Sequence, residues 1–186
     1  MFVSQSNNQA TGDVVAGSKT EFNFITSGGS TDELSLLYAK LKADGVGDSS
    51  GNAFCEKLQH YMAARTDGDV RGLEEKLKAS DRLDQLPLAK ELKEFAAKSI
   101  VKRQGSQTAQ RIFTIVLDEL HTNFTLVVTP AIQTEASRRE VDLCISQALQ
   151  TTKGMLGENV LELTVKDLFG LLFFLGGNCH IRWDKC

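Results

Sequence analysis

The sequence predicts a mainly α protein: a helical bundle of about six or seven helices, with an N-terminal β-arm and a short C-terminal strand. Three observations carry this reading. From Ser30 to Gly177, apolar residues recur at the three- and four-residue spacing of a helix with one buried face. Before that, residues 1–29 are rich in Ser, Asn, Gln, Thr and Gly and hold two short β-prone pieces. After it the chain ends in "GNCHIRWDKC", where Cys179, Ile181 and Trp183 alternate with His180, Arg182 and Asp184. The expected organisation is therefore a polar arm over 1–29 and one helical domain over 30–186, a length that a single core accommodates.

The arm's β-prone pieces, Gly12 to Ala16 and Thr20 to Thr26, flank the turn-forming Gly17-Ser18. Phe22 and Phe24 share one strand face, and a lone hairpin of this size is marginal in water. Val14, Val15, Phe22 and Phe24 are accordingly expected to pair with another chain, most simply in a homo-oligomer.

The helices follow in order. Ser30 with Glu33 matches a capping box, and Leu34, Leu37, Tyr38 and Leu41 form a stripe that Gly45 stops. A second helix over about 51–65 presents Phe54, Leu58, Tyr61 and Met62, and a third covers about 70–80 beyond the turn Asp67-Gly68-Asp69. Pro87 suits the first turn of a fourth, with Leu88, Leu92, Phe95 and Ala96 as its apolar stripe to about Arg103. After Gly105, the residues Phe113, Val116, Leu117, Leu120, Phe124 and Val127 predict a deeply buried hub helix that stops before Pro130. A sixth runs from about Glu135 to Lys153 with Val141, Cys144, Ile145 and Ala148 inward. The seventh is capped by Thr164 with Asp167 and ends at Gly176-Gly177, glycines that permit a chain reversal toward a core-facing Trp183.

With 41% apolar and 24% charged residues and a net charge of −3, the composition excludes both a disordered tail and a generally cationic nucleic-acid binder. Four scattered cysteines and the lack of a secretory leader point to reduced thiols in the cytoplasm, with no disulfide. The apolar run Leu168 to Leu175 is far short of the roughly 20 residues a membrane-spanning helix needs, so no membrane span is expected there.

Cys179, His180 and Cys186 raise the question of a metal site. Structural zinc takes four ligands, often in C-x-x-C pairs, whereas adjacent residues on a strand point to opposite faces. The set is short, and no metal or other cofactor is expected. Cysteine catalysis needs a base, but His60 and His121 both sit inside helical patterns. The chain contains none of the G-x-S-x-G, G-x-x-x-x-G-K-[ST], H-E-x-x-H or G-x-G-x-x-G motifs. The sequence thus reads as no enzyme. The alternative to a protein-binding module is nucleic-acid contact through Lys98, Lys102, Arg103 and Arg111, a stretch with no acid before Asp118.

Two stretches resemble a known family. The arm "GDVVAGSKTEFNF", Gly12 to Phe24, and the ending "LFGLLFFLGGNCHIRWDKC", Leu168 to Cys186, are similar to the C-terminal module of the ABC three-component systems, prokaryotic conflict systems thought to act against phage. In that family an apolar helix runs through a glycine turn into a "CHIRW"-like strand, matched here by Leu171 to Leu175, Gly176-Gly177 and Cys179 to Trp183. The resemblance implies a non-enzymatic adaptor that links an effector, a small middle protein and an ATPase. Such modules usually follow an effector domain, where this chain has the polar arm; either the member lacks an effector or the effector is a separate chain. His180 and Arg182, on the face opposite Trp183, are expected to meet the arm or a partner.

Overall fold

The computed structural model describes residues 28–44, 53–66 and 70–185. The β-arm with Val14, Val15, Phe22 and Phe24, the stop at Gly45, the turn at Asp67-Gly68-Asp69 and Cys186 lie outside the described residues. Among the described residues the fold is seven helices: α1 (Gly28–Asp44), α2 (Glu56–Met62), α3 (Leu73–Ala79), α4 (Leu86–Val101), α5 (Gln107–Gln133), α6 (Arg138–Met155) and α7 (Val165–Gly177). None of the described residues forms a strand, so the predicted C-terminal strand is corrected to a wound, non-repetitive tail.

Local chemistry explains most boundaries. Thr164 and Asp167 form a reciprocal capping box at the start of α7, satisfying two backbone donors that a helix start leaves orphaned. A second box, Ser137 with Glu140, starts α6 three residues later than expected, because Glu135 takes a left-handed φ of 58° and ends the preceding turn. The helix α1 begins at Gly28, ahead of Ser30, and the Glu33 carboxylate instead accepts from Arg111 of α5 at 2.7 Å.

Pro130 does not stop α5. Phe124–Val128 widens into a π-helical turn in which the Thr129 N–H donates to the Phe124 carbonyl, and its hydroxyl does so at 3.3 Å. That extra residue places Pro130 in the first turn of a resumed helical segment, the position where a proline ring is best tolerated. The resulting helix is long and apolar enough to cross a membrane by length and composition, but 56% of its most apolar stretch is buried inside the fold. It is the hub: Ile112 to Leu117, Leu120, Phe124 and Val128 are all buried, against α1, α2, α6 and α7.

Among the described residues the most extensively packed helix pair is α4 with α7. A Cβ on Gly170 would lie 2.8 Å from the Leu92 carbonyl oxygen, so the glycine lets two backbones approach where any side chain would hold them apart. This approach rotates α4. Ala89, Leu92, Ala96 and Ile100 face inward, while Leu88 and Phe95, expected in the stripe, stand 42% and 56% exposed. At about 100° per residue the buried stripe is shifted by about 60° from the predicted one. Leu92 meets Gly170 directly, and the small Ala89 and Ala96 on the same buried face permit a separation that Phe95 would not.

Candidate functional site

The geometry that organises the chain's end begins at the last turn of α7. Cys179 N–H donates to the Gly176 carbonyl at 3.2 Å and His180 N–H to that of Leu175 at 2.9 Å, the bond pattern of a Schellman C-cap. Such a cap needs a left-handed residue just past the helix, a place usually held by glycine. Here Cys179 holds it, with φ of 64°. The reversal therefore sits on Cys179, and neither Gly176 nor Gly177 has a positive φ. Gly176 matters for space: a Cβ there would come 2.0 Å from the Trp183 ring. At Gly177 the nearest atom is the movable Lys93 ammonium, 2.4 Å from a Cβ's position.

Trp183 is 2% exposed, stacked on Phe173 with ring centroids 5.6 Å apart and edge-on to Phe124. Around it the tail is tied to four parts of the fold. Lys76 of α3, wholly buried, donates from Nζ to the Gly176 carbonyl at 2.7 Å, a cation at a helix C-terminus where the backbone is partly negative. Asn178 donates to the Tyr61 carbonyl at 2.9 Å. The Arg71 guanidinium pairs with Asp184, and Lys185 with Glu135 at 2.6 Å.

His180 is corrected from an outward to an inward position. It is 7% exposed, 5.0 Å from the His60 ring and 5.1 Å from Tyr61, centroid to centroid. The left-handed Cys179 turns the tail so that the alternation of a strand is lost. Burial first, then the nearby His60, pushes the His180 pKa below its ordinary value, against the backbone carbonyls of Ala63 and Tyr61, which favour its charged form. Its Nε2 has no hydrogen-bond partner among the described residues. Tyr61 donates to Asp118 at 2.6 Å, and burial followed by that carboxylate raises its pKa. His121 joins the group at 6.4 Å from Tyr61. All three histidines thus gather about one tyrosine, a convergence with no signal in their sequence spacing. Arg182 is half-buried beside His180.

The basic stretch is divided among different surroundings. Lys98 pairs with Glu94 at 2.6 Å and Arg111 with Glu33 at 2.7 Å. Lys102 and Arg103 border a separate cavity between α1 and the loop before α7. Among the described residues no group of three His, Cys, Asp or Glu side chains is placed to hold a metal ion. Cys55, Cys144 and Cys179 are all unbridged thiols.

No curated protein and no solved structure matches the chain. A family model does, over residues 72–183, a span that takes in α3 to α7 and the Trp183 tail and begins beyond the N-terminal arm. The Schellman-capped apolar helix and the buried tryptophan both fall inside it, and the chain belongs to C-terminal domain 9 of the ABC-three component systems.

Proposed function

We propose that this chain is a non-enzymatic assembly module of a bacterial conflict system directed against phage, one that oligomerises and links an effector to an ATPase in the cytoplasm. Membership in an ABC-three component family supports partners drawn from the other components of such a system. The observation that carries the assembly role is the pair Leu88 and Phe95. They lie two turns apart on α4, 42% and 56% exposed, beside the stripe that packs on α7. On this reading the exposed Phe95, with Leu88 on the same face, serves as the docking anchor for another protein. The N-terminal arm, through Val14, Val15, Phe22 and Phe24, is proposed as the self-association element, a role that rests on its sequence.

The test is co-purification of the tagged chain with its neighbouring gene products, followed by light scattering. The native chain is expected to bring down a second component, and Leu88→Asp with Phe95→Asp to cut that recovery at least tenfold without moving the melting temperature. Deleting residues 1–26 is expected to leave a smaller, still helical species. A native chain that purifies alone and stays monomeric at tens of micromolar overturns the reading.

A further inference from the structure

The cavity that takes up Lys102 and Arg103 has a volume of about 450 Å³, within the range of small-molecule sites. Three cations from two parts of the chain border it: Lys42 near the end of α1, and Lys102 and Arg103 between α4 and α5. Among the described residues one carboxylate answers them. Glu158 accepts from Lys42 at 2.8 Å. Lys102 has no ion-pair partner among the described residues, and Arg103 makes only a long 3.4 Å bond to the Ser99 carbonyl. Among the described residues two positive charges therefore remain over the opening, in a chain whose net charge is −3.

Beneath those charges the floor is aliphatic. Leu41 and Leu161 are each 8% exposed, and Val160 is half-buried beside them. The floor is also held in place. The loop carrying Val160 and Leu161 has left-handed φ values at Gly157, Asn159 and Glu162, of 54°, 46° and 56°. Asn159 clasps it by accepting from the Leu163 N–H at 3.0 Å and donating to the Leu163 carbonyl at 2.8 Å. Lys153 reinforces that carbonyl at 2.8 Å. A charged rim over a fixed apolar floor suits a ligand with an anionic head and a weakly polar body.

We propose that this cavity binds a small phosphate monoester whose body is apolar or only weakly polar. At neutral pH a phosphate monoester carries about −1.5 to −2 charge, which matches the two unanswered cations, and its oxygens match the guanidinium fork of Arg103. A nucleic-acid strand fits less well, because Lys98 and Arg111, which would have to extend the track, are each paired with a carboxylate. Nucleoside and alkyl bodies both meet the floor's chemistry, and the experiment separates them. The inference does not rest on the assembly role.

Isothermal titration of the full chain with adenosine 5′-monophosphate, hexyl phosphate and inorganic phosphate provides the test. At least one of the two esters is expected to bind tenfold or more tighter than inorganic phosphate, and whichever does so identifies the body. Lys102→Glu, at an exposed position, and Arg103→Glu are each expected to weaken that ester at least tenfold. Lys98→Glu, one turn away and outside the cavity, is expected to leave it unchanged. The proposal is overturned if neither ester exceeds inorganic phosphate, if Lys102→Glu binds as the native chain does, or if Lys98→Glu weakens binding equally.

Discussion

The ring of Trp183 occupies the space that a side chain on Gly176 would need: a Cβ there would sit 2.0 Å from the indole. The pair locks the tail onto the last turn of α7, with Phe173 and Phe124 closing round the ring. Gly176→Ala must displace the indole and is expected to cost about 1 to 3 kcal/mol, as overpacked cores do. Trp183→Ala removes a buried aromatic residue and should cost about 3 to 5 kcal/mol. Because both act on one contact, the double variant is expected to lose less than the sum in urea unfolding. Additive losses, or a Trp183→Ala midpoint equal to wild type, would show that the tail does not pack as described.

Lys76 supports the same joint from beneath. Its ammonium is fully buried and meets the Gly176 carbonyl at 2.7 Å and, at 3.5 Å, that of Ile181. Replacing it with methionine keeps the stem's packing and removes the charged donor. Lys76→Met is expected to lower stability by about 2 kcal/mol, the scale of a charged hydrogen bond. Faster amide exchange should appear first in residues 178–183, because their anchor is what the substitution removes. Uniform exchange across α7 and the tail would argue against a local capping role.

How far these features were legible from the sequence depends on their range. The Thr164–Asp167 box was, since a cap is a matter of residues three apart, and so was the buried α5, with its long apolar pattern. The face of α4 was not: Gly170, far away in the chain, decides which side packs, and it selects Ala89 and Ala96 over the more apolar Leu88 and Phe95. The tail misled for a conformational reason. Its alternating pattern is that of a strand, but one left-handed residue at Cys179 turns His180, Ile181 and Trp183 inward together. Lys76, within "EEKLK", looks like any solvated lysine until the end of α7 is placed over it. The partition of the basic stretch was equally hidden, because Glu33, which neutralises Arg111, lies on another helix.

The histidine buried under Tyr61 makes stability depend on pH with a definite sign. His180 has a pKa depressed from its ordinary 6.5, chiefly by burial and next by His60, with Arg65 acting in the same direction. The unfolded chain therefore takes up this proton at a higher pH than the folded chain does. The stabilisation is fully present above about 6.5 and is lost as pH falls from there through the folded-state value. The paired carboxylates Asp84, Glu94 and Glu135, whose pKa values are lowered by Arg138, Lys98 and Lys185 respectively, lose their contribution only at more acidic pH. Urea midpoints measured from pH 7.5 to 5.5 are expected to fall for the native chain. His180→Gln, which cannot titrate, is expected to start lower and stay nearly flat over that interval. A native midpoint that holds steady to pH 5.5, or a His180→Gln variant that falls in parallel with it, would mean that His180 is not held neutral between Tyr61 and His60.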